Sequence, residues 1–296
     1  MIIAQTAFLE RLFSRLWDEY RERVDYARSY EDILKSCGGH FRNDHLAFRT
    51  FATQTRWSGI AAISRPFEAL GYRAAGAYDF PDKKLTSLHF APPSDNLPKI
   101  FISELRIWEL SPRARRIVLA STARTAPGLS DGELADLAVL PNLTAKRRAQ
   151  LLRRWAAQFA RRWPAPKAAD AAALERESQF GAWTLLHGHT VNHFTAAVHA
   201  HGVTSLDDIE KTVAALKTAG VPMKPEIEGA PGSRLRQSST LAVVIPVEMR
   251  AGSRVVKKPW TYAYFELAER PIIDGRRFEG FLGGQATNLF EMTRRS

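Results

Sequence analysis

Apolar residues recur at two different spacings along the chain, and the change between these spacings predicts the order of the elements. Residues 5–36 show the three- and four-residue spacing of two amphipathic helices, with Phe8 and Leu12 on one face. From Asp44 the sequence changes to DHLAFRTF, a short run typical of a strand. The order predicted for residues 41–110 is a strand, a helix and three strands.

The same order returns after a long helical stretch. Residues 111–182 are rich in Ala, Leu and Arg, which predicts a helical insertion. Residues 183–296 then contain the strand TVNHFTAAVHA, the helix SLDDIEKTVAALKTAG and two strand-like runs, SSTLAVVIPVEM and WTYAYFELAER. We therefore expect an α+β fold in which two βαβββ-type halves form an incomplete barrel around a cleft. N-terminal helices in residues 1–40 precede them, and residues 1–296 form one catalytic domain.

A weak internal repeat relates the two halves. The tripeptide around His45, DHL, matches NHF around His193 at the head of each first strand. Each half closes with a glutamate on its last strand, Glu104 in SEL and Glu266 in FEL. The same two ionisable residue types thus recur at matching places.

Composition places the chain among ordinary globular proteins. It has 296 residues, 45% of them hydrophobic and 25% charged. Cys37 is the single cysteine, so an intramolecular disulfide is excluded and a reducing, cytoplasmic location is expected. No apolar run approaches the roughly 18 residues that span a bilayer. The N-terminal sequence resembles neither a signal peptide nor a transit peptide.

The net charge of +11 raises the question of nucleic acid. Much of the excess lies in residues 146–162, where apolar side chains recur at helical spacing. This pattern favours an amphipathic helix with a solvated basic face, because no nucleic-acid-binding motif accompanies it. A basic protein also attracts anionic small molecules to its clefts.

Four ionisable residues on strands are the candidates for chemistry. A histidine or glutamate that faces the core is costly to bury without a partner, so the repeat of His45, His193, Glu104 and Glu266 points to a shared metal. Two imidazoles and a carboxylate with open positions are typical of non-haem Fe(II) oxygenases. Zinc is a weaker candidate, since the HExxH spacing is absent. Arg49, four residues after His45, lies on the same strand side and suits a substrate carboxylate.

Three further residues are weaker candidates for the site. Glu104 is expected first of all to orient a histidine, with a fourth metal ligand and an ion-pair partner of an arginine as the other interpretations. His89 lines the cleft or packs in the core. Gln285, beside two glycines, is a candidate for substrate contact.

Several motifs together resemble a known family. DHLAFRTF, SGIAAISRPFEALGY, IFISELR, VNHFT and YFELAER are similar to sequences of the 2-oxoadipate dioxygenase/decarboxylases, which share the vicinal-oxygen-chelate architecture. The resemblance implies Fe(II) bound by His45, His193 and Glu266, with Arg49 holding the substrate. It also implies that 2-oxoadipate and O2 are converted to 2-hydroxyglutarate and CO2, a step in lysine catabolism.

Two alternatives remain open on sequence grounds. One is a glyoxalase-like isomerase or lyase that uses Zn or Ni on the same scaffold, and O2 consumption separates it from the dioxygenase. The other is a metal-free nucleic-acid-binding protein, which requires no convergence of the three predicted ligands. The oligomeric state is not indicated.

Overall fold

The structure is a computed structural model and describes residues 2–53, 55–282 and 293. Its helices and strands follow the order that the hydrophobic pattern predicts. The helices are α1 (Ile2–Arg21), α2 (Asp25–Ser36), α3 (Ile60–Ala69), α4 (Pro112–Thr122), α5 (Asp131–Ala138), α6 (Ala145–Ala156), α7 (Ala168–Glu177), α8 (Gln179–His187) and α9 (Ile209–Thr218). The strands are β1 (Asn43–Phe51), β2 (Arg73–Phe80), β3 (Leu85–Ala91), β4 (Lys99–Leu105), β5 (Val191–Ala197), β6 (Arg236–Ser239), β7 (Val244–Ala251), β8 (Arg254–Thr261), β9 (Glu266–Glu269), β10 (Ile272–Ile273) and β11 (Arg276–Arg277).

Seven strands form one sheet in the order β2-β3-β4-β1-β5-β9-β6. In each half the first strand pairs in parallel with the last, β1 with β4 and β5 with β9. The antiparallel pair of β1 and β5 joins the two halves. The edge strands β2 and β6 do not pair with each other in the part of the chain that is described, so the barrel is incomplete. The predicted α+β class with two related halves is confirmed.

The second half departs from four regular strands. It contributes three strands to the sheet, and the segment before β6 makes only isolated bridges, at Met223 and Glu228. Pro222, Pro225 and Pro231 lie in this segment, and proline interrupts the hydrogen-bond ladder of a strand. The run SSTLAVVIPVEM, predicted as one strand, is divided between β6 and β7. Strands β7 and β8 form a separate hairpin.

The N-terminal helices cover one face of the sheet. On α1, Trp17 packs edge-on against Phe194 of β5, with ring centroids 5.1 Å apart. Leu46 of β1 is buried in the same core. Because side chains alternate along a strand, His45 and Ala47 point to the opposite face. The helices thus leave that face available for a pocket.

The predicted basic helix is shorter than expected. Helix α6 ends at Ala156, so the last residues of the 146–162 stretch lie outside it. Its apolar face is buried as the pattern predicted. Two of its arginines are paired with α5, Arg147 with Asp136 and Arg154 with Glu133.

The helical stretch also runs further than residue 182, since α8 ends at His187. None of the helices in the described ranges is long and apolar enough to cross a membrane.

Candidate metal centre

Three donor side chains converge on the face of the sheet that the N-terminal helices leave uncovered. His45, His193 and Glu266 lie on the adjacent strands β1, β5 and β9, and each offers a ligand atom within 4.8 Å of the others. Glu266 Oε1 lies 3.6 Å from His45 Nε2, and Glu266 Oε2 lies 3.5 Å from His193 Nε2. The strand register explains the convergence, because Thr195 is opposite both His45 and Glu266.

The Nδ1 atom of each histidine faces an oxygen of the preceding residue. His45 Nδ1 lies 2.8 Å from Asp44 Oδ1, and His193 Nδ1 lies 3.1 Å from Asn192 Oδ1. A carboxylate or amide oxygen only accepts, so each imidazole donates its proton from Nδ1. This tautomer leaves the Nε2 lone pairs directed at the centre, as metal binding requires.

Burial keeps both imidazoles neutral. It lowers the pKa of His45, and Asp44 opposes that shift only in part. Burial also lowers the pKa of His193 well below its usual value, with further contributions from His45 and Arg49. Neutral imidazole is the form that binds metals near pH 7.

Glu266 supplies the clearest sign that a cation fits here. The side chain is fully buried, and Gln237 Nε2 donates to Oε1 at 2.5 Å. Among the described residues Oε2 has no hydrogen-bond partner. Burial raises the pKa of this carboxyl well above its usual value, although Gln237 lowers it in part. A buried oxygen without a partner is costly, and a divalent ion between Oε2 and the two Nε2 atoms would satisfy it.

Arg49 lines the same pocket as the three donors. Its guanidinium carbon lies 4.9 Å from the ring centroids of both Phe180 and Trp183. One of its nitrogens, Nη1, donates to Thr293 Oγ1 at 3.0 Å. Aromatic and apolar side chains form much of the remaining wall: Ala47, Phe48, Phe101, Tyr264, Phe281 and Leu282.

Two of the three weaker candidates, Glu104 and His89, are not among the side chains that converge at the centre. The structure does not bring Glu104 to the donors: Ser103 lines the pocket, and Glu104 Oε2 instead accepts from the backbone N–H of Ile60 at the start of α3, at 2.8 Å. His89 lies behind Phe281, with ring centroids 5.2 Å apart, and its Nδ1 is 3.0 Å from the Tyr78 hydroxyl. Burial lowers the pKa of His89 to about 4. Gln285 lies outside the described residues.

Sequence reasoning missed the residues that support the donors. Asp44 and Asn192 carried a signal, because an Asx residue precedes the histidine in both DHL and NHF. No pattern in the sequence pointed to Gln237, since its position beside Glu266 depends on the pairing of β6 with β9. Arg270, which pairs with Asp44, is likewise distant in sequence.

Fold and pocket together define a protein of the glyoxalase, or vicinal-oxygen-chelate, class. A crystal structure of a putative glyoxalase superfamily protein from Ralstonia eutropha matches with a TM-score of 0.84 and 26% identity, over 94% of this chain and 86% of that one. Hydroxyglutarate synthase from Oryza sativa, crystallised with 2-oxoadipate, matches with a TM-score of 0.80 and 26% identity, over 98% of this chain and 93% of that one.

The chain belongs to the 2-oxoadipate dioxygenase/decarboxylase family, whose model matches residues 12–291. A rice relative named 2-oxoadipate dioxygenase/decarboxylase, chloroplastic/amyloplastic, is 28% identical over 97% of this chain and 79% of its own length. The resemblance inferred from the sequence motifs is therefore confirmed. The chain is an enzyme of the dioxygenase/decarboxylase type, and its family implies a metal.

Proposed function

We propose that the chain converts 2-oxoadipate and O2 to 2-hydroxyglutarate and CO2, with Fe(II) held by His45, His193 and Glu266. The observation that carries this proposal is the convergence of two imidazole Nε2 atoms and a carboxylate oxygen that has no hydrogen-bond partner within the described part of the chain. This donor set is the one that non-haem Fe(II) oxygenases use. The rice structure with bound 2-oxoadipate supports the choice of substrate.

When bound, Fe(II) would supply open coordination positions for a 2-oxo acid and the electrons that O2 activation needs. The chain's own residues prepare that site. Gln237 holds Oε1 of Glu266, which leaves Oε2 as the ligand atom. The aromatic rings of Phe101, Tyr264 and Phe281 line the pocket and offer water few hydrogen-bond partners there.

Arg49 is proposed to bind the carboxylate remote from the keto group. Its planar fork can grip a carboxylate through two parallel hydrogen bonds. The rings of Phe180 and Trp183 fix the plane of the guanidinium. Arg49 is four positions after His45 on the strand, roughly 13 Å along the backbone. A long arginine side chain that leans toward the metal leaves room for an acid of five or six carbons.

The proposal extends to the whole chain. We propose that residues 1–296 form one catalytic domain, with the insertion predicted at 111–182 continuing to the end of α8 at His187. We expect the enzyme to act in the cytoplasm on a small 2-oxo acid and O2. A role in nucleic-acid binding is not favoured, because Arg147 and Arg154 of the basic helix are already paired with acidic side chains.

The test is the stoichiometry of the reaction. Protein purified without oxygen and reconstituted with Fe(II) should consume one O2 and release one CO2 for each 2-oxoadipate. His193→Ala, which removes a ligand, should do neither. Turnover of a 2-oxo acid under strictly anaerobic conditions, with no O2 requirement, would contradict the proposal and favour the isomerase or lyase.

A further inference from the structure

The two histidines of the centre are supported by unequal partners. His193 has the neutral amide of Asn192 behind it, whereas His45 has the carboxylate of Asp44. That carboxylate is in turn gripped by Arg270, with Nε 2.7 Å from Oδ2 and Nη2 3.0 Å from Oδ1. Both members of this ion pair are buried.

Both carboxylate oxygens of Asp44 are engaged. Arg270 contacts Oδ1 and Oδ2, and His45 Nδ1 lies 2.8 Å from Oδ1. A carboxylate hydrogen-bonded to the Nδ1–H of an imidazole fixes the ring orientation and increases the basicity of the other nitrogen. We therefore expect His45 Nε2 to be a stronger donor than His193 Nε2, because the partner of His193 is a neutral amide.

Arg270 also binds the segment that closes this side of the pocket. Its Nη1 donates to the carbonyl oxygens of Phe278 and Gly280, at 2.9 and 2.7 Å. Its guanidinium carbon lies 5.2 Å from the ring centroid of Phe281. The Phe281 ring in turn packs edge-on against His45, with centroids 4.7 Å apart. The Arg270 guanidinium therefore binds both Asp44, the partner of His45, and the 278–281 segment that forms the adjacent pocket wall.

We propose that Arg270 is a positioning residue for the metal centre, which acts on His45 through Asp44 and on the adjacent wall through the 278–281 backbone. This inference rests on the proposed function, since it assigns His45 to a metal. It adds an asymmetry between the two histidines: the affinity of the centre depends on an ion pair between Asp44 of β1 and Arg270, the residue that directly follows β9. Losing such an outer partner lowers metal affinity by about 10- to 100-fold.

The experiment measures Co(II) affinity without oxygen and without substrate, by optical titration of the metal-free protein. The variants are Asp44→Asn, Arg270→Gln and the double variant Asp44→Asn/Arg270→Gln. Each single change leaves one buried charge unpaired, so both single variants should lose thermal stability. The double variant removes both charges and should recover much of that stability. Its Co(II) affinity should nevertheless stay about 10- to 100-fold below wild type, because no carboxylate supports His45.

A matched control is available in the same sheet. Arg236 of β6 forms ion pairs with Glu210 and Glu269 and contacts none of the three ligands. Arg236→Gln should lower stability and leave Co(II) affinity at the wild-type value. Equal losses of affinity in Arg236→Gln and Arg270→Gln would show a general effect of destabilisation and overturn the inference.

The outcomes separate this inference from the proposed function. A double variant that binds Co(II) as tightly as wild type overturns the role of Arg270 alone, because the metal centre is then intact. A wild-type protein that takes up Co(II) but consumes no O2 with Fe(II) and 2-oxoadipate overturns the proposed reaction and leaves the role of Arg270 in place. A wild-type protein whose Co(II) uptake equals that of His193→Ala overturns the metal centre and this inference with it.

Discussion

The two halves of the sheet carry equivalent strands but place their glutamates differently. In the second half Glu266 is opposite Thr195, two residues beyond His193, and its side chain reaches the centre. In the first half Glu104 is opposite Thr50, five residues beyond His45, and supports the start of α3. The residue opposite Ala47, two beyond His45, is Phe101. Phe101 therefore occupies the position in the first half that Glu266 occupies in the second.

Because of this difference, the two halves contribute different residues to the candidate site. The second half contributes a histidine and the carboxylate, and the first contributes a histidine and Arg49. Four residues beyond His193, the position equivalent to Arg49 is occupied by Ala197. Two related halves would thus form one candidate metal centre with a single proposed substrate-binding side, because each half lacks what the other supplies.

Replacing Glu266 tests the comparison with the largest expected effect. Glu266→Gln keeps the shape and the side-chain oxygen near Gln237 but removes the charged ligand, so Fe(II) binding and O2 consumption should both be lost. Burial raises the pKa of this carboxyl above its unfolded value, so its ionisation destabilises the metal-free protein as the pH rises. Metal-free Glu266→Gln should consequently unfold at a higher temperature than metal-free wild type at pH 8. Iron content and thermal unfolding of the two proteins check both parts.

Retention of stoichiometric iron by Glu266→Gln would remove Glu266 from the ligand set. The comparison between the halves would then no longer explain why Glu266 is fully buried while its Oε2 accepts no hydrogen bond from the described residues.

Arg49 gives the next largest effect. Arg49→Ala removes the proposed partner of the remote carboxylate, and loss of such a buried charge-assisted pair costs about 2–5 kcal/mol in transition-state binding. Arg49→Lys keeps the charge but loses the fork and should fall between Ala and wild type. The measurement is kcat/KM for 2-oxoadipate with iron content determined in parallel. Because 2-oxohexanoate has the same chain length without the second carboxylate, its turnover should change little.

Near-normal kinetics of Arg49→Ala on 2-oxoadipate would make Arg49 structural. The aromatic contacts with Phe180 and Trp183 would then be its main role.

The sequence predicts the features of the fold and the candidate site that depend on residues close together in the chain. It does not predict those that depend on contacts between distant residues. Periodicity predicted the order of the helices and the strands of the first half, whereas in the second half SSTLAVVIPVEM is divided between β6 and β7 and WTYAYFELAER between β8 and β9. The pairing of β1 with β4 and of β5 with β9 is the one expected of two βαβββ-type halves. The register between strands cannot be inferred from a single sequence. The match of SEL to FEL aligned Glu104 with Glu266, although the sheet makes Phe101 the counterpart. For the same reason Gln237 and Arg270 could not be connected to the site, since their partners are 29 and 226 residues away.

A smaller effect belongs to His187, a buried histidine at the end of α8 that is not a proposed ligand. Burial lowers the pKa of His187 to about 3, and its Nε2 donates to the Thr261 carbonyl at 2.9 Å. The pKa of His187 in the folded protein lies below its value of about 6.5 in the unfolded chain. The contribution of this histidine to stability is therefore fully present above pH 6.5 and is lost as the pH falls toward 3. On unfolding, His187→Gln takes up one proton fewer than wild type. The slope of its free energy of unfolding against pH should therefore be smaller by about 1.4 kcal/mol per pH unit. Urea unfolding of the metal-free proteins at pH 4, 5 and 6 measures the slope.

Between pH 7.5 and 8.5 wild type and His187→Gln should show the same slope, which serves as the internal control. Parallel lines at acid pH as well would mean that His187 is already protonated in the folded protein.

The smallest expected effect belongs to Glu104. Glu104→Gln keeps an oxygen that can accept from the Ile60 N–H but removes the negative charge at the start of α3. A charge at a helix N-terminus stabilises a protein by about 0.3–1 kcal/mol, so the free energy of unfolding should fall by about that amount, less at high salt. Because Glu104 lies away from the pocket, Fe(II) affinity and kcat should equal those of wild type. Chemical denaturation at low and high salt, together with metal titration, makes the measurement. A loss of iron in Glu104→Gln comparable to that in Glu266→Gln would mean that the two halves contribute equivalent carboxylates, and the division of labour between them would be wrong.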